Sequence, residues 1–121
     1  MSIYFLAEPG ALINATTLEL GHEPVAAQQL VHGEPTTATV ALGEHMGLEL
    51  GVWEMTAGAM TDVEVDEIFI VLAGAATVEI AAFDGLPART LTPVAGDIVQ
   101  LSEGMQTVWT VTETFRKIYL A

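Results

Sequence analysis

The chain contains no cysteine, only three basic residues (Arg89, Arg116 and Lys117), and no apolar run near the length of a membrane-spanning helix. Each shortage excludes something. Without cysteine there are no disulfides and no thiolate metal sites, which fits a reducing compartment. Three basic residues against 16 acidic ones give 3 − 16 = −13, and such a surface repels phosphate backbones and anionic lipid faces. No nucleic-acid partner and no membrane association are therefore expected. The opening segment MSIYFLAEPG lacks the basic stretch of a signal peptide, so a cytoplasmic location is expected. A neutral or cationic small molecule suits the charge; the plainer account is a solvated acidic surface that keeps the chain in solution.

What is present is one domain's worth of chain. It has 121 residues, 51% of them apolar, enough to bury a core and too apolar for disorder. The stretch that organises it is Gly58 to Gly74, GAMTDVEVDEIFIVLAG. It opens on a glycine turn, carries the carboxylates Asp62, Glu64, Asp66 and Glu67, and runs into Ile68–Leu72, which reads as a buried strand ending at Ala73-Gly74. A strand so apolar needs cover on both faces or a place in a closed wall, since an exposed edge would aggregate. Thr36–Leu42, Gly47–Thr56, Val78–Ile80, Arg89–Leu91, Ile98–Leu101, Gln106–Val111 and Phe115–Leu120 also read as short strands between glycine or proline turns. Phe83-Asp84-Gly85 carries the Asp-Gly pair of a hairpin. The predicted fold class is all-β, an antiparallel jelly-roll barrel over residues 33–121. Residues 1–32 read as an irregular N-terminal arm. Within it, Ile3–Leu6 suits a short strand, Glu8-Pro9-Gly10 a turn, and Pro24–Val31 either a short helix or irregular chain.

The blocks Gly33-Glu34-Pro35, Gly51-Val52-Trp53-Glu54, Asp66-Glu67-Ile68-Phe69, Val71-Leu72-Ala73-Gly74, Gly96-Asp97, Glu103-Gly104, Trp109 and Arg116-Lys117-Ile118-Tyr119 resemble the small single-domain cupins. The subgroup most similar is the one related to the cupin half of ethanolamine-utilisation proteins, and the resemblance covers Gly33 to Ala121. It implies a double-stranded β-helix, the roll-shaped barrel of that family, and it implies a homodimer. The apolar arm suits exchange across a partner's sheet edge. Activity is left open, because the cupin fold hosts many chemistries.

In the wider cupin family, two histidines and a glutamate of one motif and a histidine of a second hold a metal. Here Glu67 takes the glutamate's place, Gly96 and Gly104 match the second motif, and Ser102 stands for its proline. The histidine places fall at Thr61 and Val63, or at Met60 and Asp62 under the longer spacing, and at Thr107. None of these is a histidine. Valine offers no ligand, threonine is a poor one, and one or two carboxylates do not make the nitrogen-rich site that iron, manganese or zinc prefers. No metal and no cofactor is therefore expected. His22, His32 and His45 all precede the first motif and read as surface or loop residues.

With a barrel granted, strand alternation decides what shares its interior. Glu67 brings Phe69 and Val71, Thr107 brings Trp109 and Val111, and Lys117 shares a face with Tyr119. Trp53 is a further wall candidate, although the pattern leaves open which face of Gly51–Met55 points inward. Trp53, Phe69, Thr107, Trp109, Lys117 and Tyr119 are the candidate ligand-binding residues, and the four aromatics read equally as core filling. Glu67 is the candidate catalytic group: a carboxylate in an apolar cavity near other acids has its pKa raised and suits a general acid or base. The competing reading ties Glu67 to Lys117 or to a backbone N–H. Asp62, Glu64 and Asp66 read as a solvated rim, at most a weak Ca²⁺ or Mg²⁺ site. Arg116 and Lys117 suit ion pairs with strand carboxylates, or anchoring of a substrate carboxylate. The expected function is metal-independent binding of a small organic molecule. The alternatives are an isomerase, lyase or hydrolase using Glu67, and a non-catalytic structural or regulatory subunit.

Overall fold

Val, Ile, Thr and aromatic residues at alternate positions, with glycine between the runs, favour sheet. The computed structural model describes residues 5–6 and 8–121, and among these the regular structure is sheet throughout. The strands are β1 (Glu23–Pro24), β2 (Leu30–His32), β3 (Thr36–His45), β4 (Leu48–Met55), β5 (Gly58–Val63), β6 (Glu67–Ile80), β7 (Arg89–Leu91), β8 (Ile98–Leu101) and β9 (Gln106–Leu120). All pairings are antiparallel.

The hub is β9. On one edge its first half pairs with β5, from Val63↔Gln106 to Gly58↔Val111, and its second half with β4, from Met55↔Phe115 to Leu50↔Leu120. On the other edge it pairs with β6, from Ile68↔Leu120 to Ile80↔Thr107. Beyond β4 lie β3 and then β1, beyond β5 lies β2, and β7 and β8 pair with the two ends of β6. The sheet curls on itself into the expected all-β barrel, so inward residues from both halves share one core. That core includes Met55, Met60, Phe69, Val71, Val78, Leu101, Trp109, Val111 and Phe115, each no more than 5% exposed. Trp109 packs against Trp53, Phe69 and Phe115 with ring centroids 5.2, 5.8 and 5.4 Å apart. Truncating a ring so placed costs about 3–5 kcal/mol.

Two expectations change, and one open alternative is decided. The strand that the pattern ended at Ala73-Gly74 bends there and continues, with register shifts against β9 between Val71, Ala73, Ala75 and Ala76. Gly74 sits at φ +96° against the Thr114 carbonyl and the Phe115 backbone, where a Cβ has no room. A glycine bulge turns a barrel corner and, in sequence, looks like a stop. Gln106–Val111 and Phe115–Leu120 are likewise one strand, which passes from β5 to β4 at Thr112-Glu113-Thr114. No helix forms over Pro24–Val31; a single turn, closed by the Leu30 N–H donating to the Ala26 carbonyl (3.1 Å), leads straight into β2. Of the strand suggested for Ile3–Leu6, residues 3 and 4 lie outside the described residues, and the Leu6 N–H donates to the Leu42 carbonyl at 2.8 Å. The Asp-Gly hairpin forms, with Asp84 and Gly85 at φ 46° and 81°, the left-handed pair of a type I′ turn.

Val52 is fully buried on the outer face of β4, where the arm covers the sheet. There Arg116 donates to the carbonyls of Ala15 and Leu18, both at 2.8 Å, and to Glu54 Oε2 at 2.6 Å. His22 completes the clasp through Glu54 Oε1 (2.7 Å) and Thr36 Oγ1 (2.9 Å). Burial pushes the Glu54 carboxyl upward, but its bonds to Arg116 and His22 and their charges outweigh burial, leaving it below the usual carboxylate range.

Candidate functional site

Alternation along β9 turns Thr107, Trp109 and Val111 inward, and after the switch of partner Phe115, Lys117 and Tyr119, each no more than 7% exposed. Facing them, β6 contributes Glu67, Phe69 and Val71. The open question about β4 is settled by its pairing: Gly51 lies opposite Tyr119 and Trp53 opposite Lys117, so Glu49, Gly51, Trp53 and Met55 face in. The Tyr119 ring fills the space that a side chain at Gly51 would take. Between these strands and the β5–β6 connection lies a cavity of about 270 Å³, lined by Trp53, Trp109, Tyr119, Lys117 and Thr39, by Asp62, Glu64 and Glu67, and by Val63 and Val65.

Of the candidate residues, Trp53, Trp109, Lys117, Tyr119 and Glu67 meet at this cavity, while the buried Phe69 and Thr107 do not line it; Phe69 packs on Trp109, and Thr107 reaches it only through its bond to Glu64. Lys117 is at the centre. Its Nζ donates to Glu67 Oε2 at 3.0 Å and lies 4.2 Å from the Phe69 centroid, 4.8 Å from Trp53 and 5.0 Å from Trp109. Three rings with their negative faces available, plus one carboxylate, hold an ammonium ion that has little access to water. Glu67 thus meets the second of its two expected environments, as partner of Lys117. Arg116, one residue away and on the opposite face, serves the arm instead.

Glu64 is a correction. Expected on a solvated rim with Asp62 and Asp66, it is 7% exposed and points into the barrel, while Val63 and Val65 on either side are 65% and 56% exposed. The reason lies in its backbone. The Glu64 N–H donates to the Met105 carbonyl (2.8 Å) and its own carbonyl accepts from Gly104 N–H (2.9 Å), which fixes the segment against the β8–β9 turn with the glutamate turned inward. There its Oε2 accepts from Thr107 Oγ1 at 3.1 Å and from Trp109 Nε1 at 3.3 Å. Burial raises the Glu64 pKa and the Asp62 charge adds to this; Lys117 and the two hydrogen bonds oppose it without cancelling it. The raised carboxyl expected in this barrel is therefore found at Glu64. Parity offered a signal, since Met60, Asp62 and Glu64 fall on one side of an extended chain and Met60 is a plain core residue. Of the other acids, Asp66 is exposed and accepts from the Glu103 N–H (2.9 Å), as a rim residue should.

Tyr119 donates to Glu49 Oε2 at 2.7 Å, and burial first, then that bond and the charges of Glu49 and Glu67, push its hydroxyl far above the usual phenol range. It stays a neutral donor. Among the described residues no buried side-chain nitrogen or oxygen lacks a partner, so the site is a finished hydrogen-bond network.

The metal of the wider cupin family does not fit these residues. Glu67, at the family's ligand position, is paired with the Lys117 ammonium, and the other places hold Thr61 and Val63, or Met60 and Asp62 under the longer spacing, and Thr107, none of them a histidine. Among the described residues no three His, Asp or Glu side chains converge as ligands. A larger groove of about 710 Å³ runs past the ends of β5, β6 and β9 along Thr61, Glu79, Ile80, Arg89 and Thr90, and Thr107 lines it. It has no aromatic ring and none of the groups with a perturbed pKa, which mark the smaller cavity as the better site.

The curled, all-antiparallel sheet is the all-β barrel of the cupins. The more particular assignment follows from comparison: the family model for the EutQ-like cupin domain matches residues 42–119, and the chain belongs to that family. Among solved structures it is similar to a DUF861-family protein of unknown function from Pseudomonas syringae pv. tomato (24% identity, TM-score 0.66), with 86% of this chain matching 44% of that one. It is also similar to the EutQ protein of Clostridium difficile (21% identity, TM-score 0.60, 90% of this chain and 83% of that). A third is a cupin superfamily protein from Desulfitobacterium hafniense (13% identity, TM-score 0.60, 100% and 97%). At these identities the likeness concerns the fold. No match was found among curated proteins. Among the described residues no helix is long and apolar enough to cross a membrane.

Proposed function

We propose that the chain binds a small neutral or cationic organic molecule in the barrel cavity, without a metal. The observation that carries this reading is the convergence of Trp53, Trp109 and Tyr119 with Lys117 and three acids around one cavity of about 270 Å³. Rings supply contact area, and the Asp62 charge beside them selects against anions. In the alternative reading as an enzyme, Glu67 is held as the partner of Lys117 and the proton-carrying role suits Glu64 better, because its raised pKa keeps a proton available. A cytoplasmic homodimer completes the proposal; exposed Leu30 and Val31 on the edge strand β2 support an apolar contact there.

Both tryptophans of the chain line the cavity, which makes their emission the natural probe. Titration with a panel of small neutral compounds, amines and carboxylates should find a neutral or cationic member that quenches emission and raises Tm. Protein prepared without chelator should keep both responses after exposure to EDTA. Stoichiometric iron, manganese or zinc, or quenching by carboxylates alone, would refute the reading, and a monomer in gel filtration at micromolar concentration would remove the dimer.

A further inference from the structure

We propose that Lys117 is a Schiff-base nucleophile and that the molecule taken into the cavity is a small neutral aldehyde or ketone. The inference rests on the reading of this cavity as a small-molecule site and names the chemistry of its occupant.

Lys117 is the only lysine in the chain. It is 4% exposed, yet it forms part of the cavity wall, so the residue is shielded from bulk water while bordering the space an occupant fills. A lysine serving only to neutralise Glu67 needs no such position. Its surroundings also suit the product of carbonyl addition. An iminium carries the same unit of positive charge at the same nitrogen as the ammonium. The Phe69, Trp53 and Trp109 faces and the Glu67 carboxylate that hold one therefore hold the other. A neutral carbonyl compound leaves the charge of the cavity unchanged from start to finish.

The step balances with groups in place. Glu67 takes a proton from the ammonium across the 3.0 Å contact, and the freed lone pair attacks the carbonyl carbon. As the C–N bond forms, the C=O π pair moves to oxygen, which is protonated by Glu64. The second nitrogen proton passes back to Glu64, and the proton held by Glu67 goes to the hydroxyl as the C–O bond breaks. Water leaves, the C=N bond forms, both glutamates return to their starting states, and no external oxidant or reductant takes part. The Asp62 charge beside the cavity, which no cation offsets, selects against carbonyl compounds that carry a carboxylate, and a cavity of about 270 Å³ is at the small end for ligand sites.

The test uses the full chain with propanal and sodium cyanoborohydride, and follows propylation by mass spectrometry of the digest. With one lysine, the signal has a single side-chain source, and the N-terminal amine is an internal standard. Lys117 in the native chain should be trapped at least about tenfold faster than in guanidinium chloride, relative to that standard, as expected for an amine with proton carriers beside it. Glu64→Gln should lower the native rate and leave the unfolded rate unchanged, and pyruvate should be trapped far more slowly than propanal. A native rate at or below the unfolded rate overturns the proposal, because a merely structural ion pair shields its amine. Equal trapping of pyruvate overturns the assigned substrate class. If Lys117 is shielded while a compound without a carbonyl still quenches tryptophan emission, only the Schiff base falls; shielding with no response to any compound removes the binding reading too.

Discussion

Removing the Lys117 ammonium is the most direct way to ask what holds this interior together. In Lys117→Met the side-chain volume is nearly kept and the charge is lost. Glu67, whose side chain is 10% exposed, is left facing Glu64 and Asp62 with no cation. Breaking a buried pair from one side costs about 3–5 kcal/mol, and the adjoining cavity, which admits water to the orphaned carboxylate, places this case near about 3. For 121 residues the unfolding entropy corresponds to about 4 °C in Tm per kcal/mol, so Tm should fall by about 12 °C. Glu67→Gln strands the ammonium instead and should cost about 2 kcal/mol, less because three rings still hold the cation. The double variant removes both charges and should lie within about 1–2 kcal/mol of the parent, since neutral replacements of a buried pair are often well tolerated. Guanidinium denaturation with an unchanged m-value would report a coupling of at least about 2 kcal/mol. Additivity of the single variants within about 0.5 kcal/mol would show that the 3.0 Å contact is not an energetic pair and would remove the basis for treating these residues as one unit.

The pH dependence of stability should carry the mark of Glu64. Because burial and Asp62 raise its pKa in the folded chain, its neutral form favours folding below the ordinary carboxylate value. That contribution is lost as pH rises through the raised value, with a limiting slope of about 1.4 kcal/mol per pH unit. Stability curves of parent and Glu64→Gln should therefore meet at low pH and separate as pH rises, the variant being the more stable; parallel curves would contradict the assignment. Arg116→Met should free the carbonyls of Ala15 and Leu18 and lower hydrogen-exchange protection of the arm by roughly tenfold while β9 keeps its own. Protection loss spread through the barrel would show that the clasp is part of the core. Gly74→Ala places a Cβ against the Thr114 carbonyl at φ +96° and should cost at least about 2 kcal/mol. A thermal melt unchanged from the parent would mean that the corner adapts.

The barrel was legible because its instructions are local. The Asp84-Gly85 turn states its own geometry, and runs such as Ile98–Leu101 match their strand end for end. Alternation within each of the two runs that make up β9 groups Thr107 with Trp109 and Lys117 with Tyr119, and all four face inward, although the pattern breaks between the runs at the exposed Thr112-Glu113-Thr114. Continuity was not legible at Gly74, since a bulge that turns a corner and a turn that ends a strand use the same residue. Glu64 shows the deeper limit. Its direction is set by two backbone bonds to residues 104 and 105, which no local pattern contains, and hydrophobicity points the other way. A chain arranged for stability alone would turn Val63 and Val65 inward and leave the glutamate in water. Here the apolar side chains are exposed and the acid is buried beside Lys117, Thr107 and Trp109. Local rules are most often broken where a site requires it. The inversion at 63–65, more than any resemblance, therefore argues that the cavity has a use beyond holding the barrel together.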